Sequence, residues 1–171
     1  MIRKCTASDN DVIFSIINDA AAAYKGVIPA GCWHEPYMSK EQLLAEIGAG
    51  VEFYAYEDNG NISGVMGIQY FPEVTLIRHA YVRTAMQGAG IGGKLLKFLR
   101  EKTDKPILIG TWRDTAWSIY FYKKHGFRVL TKPETDTLLS SGYWKITDAH
   151  REASVVLADD KWKAGSAKLG S

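Results

Sequence analysis

Four glycines stand within six residues in Gly88-Ala89-Gly90-Ile91-Gly92-Gly93. They separate an apolar run ending near Val82 from an amphipathic repeat of Ile91, Leu95, Leu96 and Leu99. One glycine would make a tight connection; each further one adds chain entropy that folding must overcome. The cluster therefore predicts a strand-to-helix turn whose side-chain-free backbone brings N–H groups to an anion at a helix N-terminus. Lys94 follows directly and could add charge there or be a plain exposed helix lysine.

The rest of the chain orders itself around this turn. Residues 1–6 read as a short strand, and Asp9 to Asp11 offer N-caps for a helix carrying Val12, Ile13, Ile16, Ile17 and Ala20 at helical spacing. Gly26 and Pro29 end it, and a loop rich in Trp, His and Tyr runs to Met38. Ser39 with Gln42 has capping-box spacing for a second helix, closed by Gly48 and Gly50. Residues 51–56 and 62–71 flank Asn59-Gly60, a hairpin signal, and 74–82 reads as a third strand. After the glycine turn and its helix come a strand at 106–111, a helix through Tyr122 to Gly126, a strand at 127–130, a short helix or turn at 133–141 and a last strand at 153–158. The expected fold is mixed α/β, a central twisted sheet of about seven strands flanked by about four helices. One domain spans 1–158, followed by a polar tail, 159–171, with little to bury.

Bulk properties exclude several classes. A formal net charge of +2 without a run of like charge gives no support for a nucleic-acid partner. No segment approaches the ~18 apolar residues of a membrane span. Met1 to Cys5 reaches charged residues too early for a signal peptide, and two cysteines, Cys5 and Cys32, make no disulfide framework, so a reduced, cytoplasmic setting is expected. Neither cysteine has the spacing of a metal ligand, and no metal is expected.

The glycine turn fits three phosphate-binding patterns. A Walker A loop is matched by Gly88, Gly93 and Lys94, but Leu95 stands where a Mg²⁺-binding hydroxyl is needed. A dinucleotide fingerprint is matched by Gly88, Gly90 and Gly93, but the turn follows an antiparallel meander and the next strand ends in Thr111-Trp112 without the acidic residue. The third pattern is Gln87-x-x-Gly90-x-Gly92. With the preceding string from Tyr81, and with Tyr122-Lys123-Lys124-His125-Gly126-Phe127 downstream, it resembles the coenzyme A loop and the Y-x-x-x-G-F segment of GNAT-superfamily N-acetyltransferases. The resemblance covers roughly residues 1–158.

That resemblance implies acetyl-CoA as co-substrate, its pyrophosphate held by the backbone of Gln87, Gly88, Ala89, Gly90, Ile91, Gly92, Gly93 and Lys94. Its pantetheine arm would pair near Tyr81 and Val82, in a split between the strand ending at Val82 and the one ending at Thr111. The acceptor implied is a small-molecule primary amine that attacks directly in a ternary complex. Tyr122 matches the position that protonates the departing thiolate. A base on the strand before the loop would match Leu76 or Arg78, and neither can serve. His79 is the adjacent candidate, although strict alternation turns it away from Arg78 unless the strand bulges. Glu73 or a water chain could serve instead. Arg78 could hold an acceptor carboxylate, as on an amino acid, or form an ordinary ion pair. Trp33, His34 and Glu35 would lie over the acceptor or at a homodimer interface. Two alternatives stay open: a protein-Lys or N-terminal acetyltransferase, and a non-catalytic acyl-CoA-binding sensor.

Overall fold

The computed structural model describes residues 1–163. Its elements are β1 (Ile2–Lys4), α1 (Asn10–Ala21), α2 (Lys40–Gly48), β2 (Glu52–Asp58), β3 (Asn61–Tyr70), β4 (Thr75–Val82), α3 (Ile91–Arg100), β5 (Ile107–Trp112), α4 (Ala116–Lys124), β6 (Arg128–Val129), α5 (Lys132–Leu139), α6 (Asp148–Glu152) and β7 (Ser154–Ala158). The class is the expected α/β with seven strands. Six helices are present where about four were expected, because two short ones fill the stretch between β6 and β7. They fold from side-chain caps: Thr131 accepts from the Glu134 N–H, and Thr147 from the His150 N–H.

The chain forms two compact units. The first (Met1–Ala23, His34–Phe71 and Thr75–Asp104) is an antiparallel meander, β1-β2-β3-β4, with α1, α2 and α3. Register puts Phe53, Gly67 and Arg78 on one face of this meander, and Tyr54, Met66 and Ile68 on the other. The core on the first of these faces gathers Ile13, Ile16 and Ile17 of α1, Leu43 of α2, Val51 just before β2, and Phe53, Ala55 and Val65 of the strands. α2 begins as its sequence predicts: Ser39 and Gln42 exchange their reciprocal capping bonds. Its approach is fixed from α1, where the Asn18 amide both donates to Met38 O and accepts from the Met38 N–H. On α3, Ile91, Leu95, Leu96 and Leu99 are buried, each worth roughly 1.5–3 kcal/mol.

The start of α1 differs from expectation. A 3-10 turn over Ala7–Asp9 precedes it, and the Asp9 carboxylate accepts from the Thr6 N–H at 2.7 Å and from the Arg3 guanidinium at 2.9 and 3.0 Å. Arg3 also donates to Glu57, so one guanidinium ties β1, the turn and β2 together. These Arg3 bonds hold the Asp9 carboxyl at about 2, below its ordinary 3.8. A folded value below the unfolded one gives stability that is present above pH ~4 and lost as pH falls toward 2. Asp9→Asn is expected to lower stability by on the order of 1 kcal/mol at pH 6, after allowing for screening of the partly exposed Arg3. Thermal unfolding should show the gap to wild type closing near pH 2; a pH-independent gap would contradict the ion-pair account.

The second unit (Tyr24–Trp33, Pro72–Val74 and Lys105 onward) holds β5, β7 and β6, paired antiparallel in that order, with α4, α5 and α6. Gly110 of β5 lies under the Trp144 indole, where an added Cβ would sit 3.0 Å from Nε1. Packing continues past residue 158. Asp159 is buried and accepts from the Ile107 N–H, and Trp162 is 2% exposed with its indole N–H on Glu134. The remainder of the polar tail, residues 164–171, lies outside the described residues. Cys5 and Cys32 are both free, and burial pushes the Cys5 thiol up to about 12. No helix among the described residues is long and apolar enough to cross a membrane.

Candidate functional site

The glycine turn is built from backbone conformations that only some residues tolerate. Gly88 has φ +87° and Gly90 φ +79°, both left-handed, and Gly90 caps α3. Nothing lies within 4 Å of a Cβ placed on either, so these glycines serve the backbone path, with open space above them. The first intrahelical bond runs from the Lys94 N–H to Gly90 O. That leaves the N–H groups of Ile91, Gly92 and Gly93 without helical acceptors at the positive end of α3. Met86 to Gly90 is exposed, whereas Ile91 is buried.

Neighbouring elements fix this turn in place. The Gln87 amide donates to Val82 O at 3.3 Å, closing the loop onto the end of β4. Asp19 of α1 accepts from the Thr84 N–H at 2.8 Å, and Arg83 reaches Ser15. Below α3, Gly64 of β3 permits the helix to sit down: a Cβ there would meet Ile91 Cγ2 at 2.7 Å and Leu95 Cδ1 at 3.3 Å. Lys94 extends its ammonium over the Tyr56 ring, 5.5 Å from the centroid. Tyr81 is half-buried against the core around Phe53.

On β4 a bulge resolves the question of His79. Gly67 pairs with Arg78 and Val65 with Tyr81, so three steps on β4 oppose two on β3. His79 takes φ +54° at this point. The extra residue cancels the alternation, and Arg78 and His79 face one carboxylate, Glu46 of α2. Arg78 Nη2 lies 3.2 Å and His79 Nε2 3.3 Å from Glu46 Oε2. Arg78 also donates to Gln69 Oε1 at 2.9 Å, and Gln69 in turn donates to Ala49 O. Phe53 stacks beside the imidazole, ring centroids 6.0 Å apart. Burial lowers the Arg78 guanidinium from its ordinary value, opposed by the Glu46 charge. Leu76 is fully buried and has no part in this cluster.

In the second unit, Tyr122 ends its helix in a defined way. Gly126 adopts φ +91°, the Gly126 N–H donates to Lys123 O, and the Phe127 N–H returns to Tyr122 O at 3.0 Å. Phe127 thereby packs edge-on to the Tyr122 ring at 6.0 Å, as Phe121 does at 5.2 Å. Tyr122 is 7% exposed, and burial raises its phenol well above the ordinary value. The loop residues His34 and Glu35 are exposed and Trp33 is half-buried. Among the described residues no group of three or more His, Cys, Asp or Glu is placed to hold a metal.

Sequence reasoning reached His79, Arg78 and the glycine turn but missed Glu46, Gln69 and Gly64. Glu46 is three residues after buried Leu43, so a carboxylate on the inward stripe of α2 was the available signal. Gly64 and Gly67 interrupt an apolar strand, a mark of close approach.

Residues 49–129 match the acetyltransferase (GNAT) domain family. Among curated proteins, none matches the sequence. Solved structures share the fold. PaiA N-acetyltransferase from Thermoplasma acidophilum, in complex with coenzyme A, is 19% identical with a TM-score of 0.68, covering 95% of this chain and 98% of that one. The ribosomal-protein-S18-alanine N-acetyltransferase from Escherichia coli is 17% identical with a TM-score of 0.68, covering 97% and 96%. A GNAT family acetyltransferase from Elizabethkingia anophelis with acetyl-CoA bound is 24% identical with a TM-score of 0.64, covering 93% and 96%. The glycine turn, the β4 bulge and the Tyr122–Phe127 segment all lie inside the stretch, residues 49–129, that matches the acetyltransferase (GNAT) domain family, and the chain shares the fold of the GNAT acetyltransferases above.

Proposed function

We propose that the protein is an acetyl-CoA-dependent N-acetyltransferase acting on the primary amine of a small molecule. One observation carries this reading: the left-handed glycines Gly88 and Gly90 open α3 so that the N–H groups of Ile91, Gly92 and Gly93 are left to an anion. A pyrophosphate is the anion this cradle suits, each charge-assisted bond contributing about 1.5–3 kcal/mol. Acetyl-CoA supplies the activated acyl group.

The chain's own residues then have two proton transfers to perform. An amine with a pKa near ~10 is protonated at neutral pH and must lose a proton before its lone pair attacks. His79 takes that proton. As the new C–N bond forms and the C–S bond breaks, Tyr122 donates its phenolic proton to the departing sulfur. Burial favours the neutral phenol, so the donor stays loaded through neutral and mildly alkaline pH. Arg78 is engaged by Glu46 and Gln69, which favours a simple amine over an acceptor whose carboxylate would have to displace Glu46. Trp33, His34 and Glu35 are the proposed acceptor-side residues, aromatic surface and one carboxylate suited to a cation.

Isothermal titration should show saturable acetyl-CoA binding, and absence of binding would end the proposal. Tyr122→Phe is expected to lower kcat by roughly 10²-fold or more with acetyl-CoA affinity retained. Unchanged turnover would remove Tyr122 from the chemistry.

A further inference from the structure

The β4 bulge places an imidazole against a carboxylate that belongs to another element. Glu46 projects from α2 with its side chain 26% exposed, and the His79 side chain is 15% exposed. The Nε2 atom of His79 is buried, 3.3 Å from Glu46 Oε2, and does not yet make a well-aligned hydrogen bond. Nδ1 makes no hydrogen bond among the described residues. Catalytic hydrogen bonds in unliganded sites are commonly longer than in the working complex.

We propose that Glu46 is the positioning residue for His79, accepting the Nε2–H proton and thereby holding Nδ1 as the basic nitrogen that receives the acceptor's proton. The inference rests on the reading of His79 as the base. A neutral imidazole carries one proton, and the nitrogen facing a carboxylate keeps it. When Nδ1 takes a proton from the acceptor's ammonium group, the ring becomes a cation with Glu46 already beside it. The other groups beside the imidazole are Arg78 of β4, which is cationic and shares the Glu46 carboxylate, and the Phe53 ring of β2. Arg78 alone would disfavour that imidazolium, and Glu46 offsets it. The Gln69 bridge from Ala49 O to Arg78 holds the guanidinium across both oxygens of the carboxylate, with Nη2 3.3 Å from Oε1 and 3.2 Å from Oε2, so that Glu46 Oε2 faces the guanidinium and the ring together.

An ion pair that served only to hold Arg78 would leave His79 unaffected, so the test reads the ring itself. Nitrogen NMR of the imidazole in the wild-type protein, assigned by comparison with His79→Asn, is expected to show the Nε2–H tautomer at neutral pH. Finding the Nδ1–H tautomer would overturn the inference whatever the variants do. Glu46→Gln keeps an oxygen for Arg78 and removes the charge. It is expected to lower kcat roughly 10–10²-fold, to leave the KM for acetyl-CoA within about twofold, and to move the acid limb of the pH–rate profile to lower pH. An unchanged kcat and acid limb in Glu46→Gln, with His79→Asn inactive, would reject Glu46 and keep the base. Full activity in His79→Asn would reject the base itself.

Discussion

His79→Asn is expected to reduce kcat/KM for the acceptor amine by about 10²–10⁴-fold, the usual range for losing a general base. Asparagine is chosen because it tolerates the left-handed backbone that His79 adopts at φ +54°. It also keeps a polar group beside Glu46 but cannot take a proton near neutral pH. Acetyl-CoA affinity should therefore be unchanged, and thermal stability should move little. Raising the pH should recover part of the lost rate, because a growing share of the amine then arrives unprotonated. A variant as active as wild type between pH 6 and 8 would show that a water chain or another residue removes the proton.

The second large effect concerns the coenzyme. Gly90→Val is expected to weaken acetyl-CoA binding by about 10²–10⁴-fold. A β-branched residue at φ +79° carries strain of roughly 1–2 kcal/mol and is relieved by rotating the backbone out of the left-handed region. A Cβ at this position meets nothing within 4 Å, so the damage lies in the backbone path itself. Rotation re-aims the N–H groups at the start of α3. Losing two charge-assisted bonds at about 1.5–3 kcal/mol each gives the stated range. Titration calorimetry reads this directly, and an affinity within threefold of wild type would mean that the turn does not hold the coenzyme.

Much of this site is legible in the amino-acid sequence alone. Glycine spacing is a backbone constraint, so Gly88 and Gly90 declare their geometry locally, as do Gly126 and the Ser39–Gln42 box. The strands of the meander were readable from alternation and from Asn59-Gly60. What escaped depends on how strands register and which helix faces which. A bulge at His79 is a property of the β3–β4 pairing, visible only once Gly67 is set against Arg78 and Val65 against Tyr81. Glu46 lies 32 residues before Arg78 and meets it through packing of α2 on the sheet. The short helices α5 and α6 have weak apolar periodicity and depend on the Thr131 and Thr147 caps, so their extents were not evident from pattern alone. Arg78, which the resemblance allowed as an acceptor anchor, has Glu46 and Gln69 as partners that no local reading reveals.

The central claim, acetyl transfer to a small amine, is tested most directly by thiol release from acetyl-CoA across a panel of primary amines, amino acids and short peptides. The account predicts amine-dependent release, matched by acetylated product, for at least one small amine, and loss of that release in His79→Asn. Saturable acetyl-CoA binding with no release on any member of the panel would contradict it.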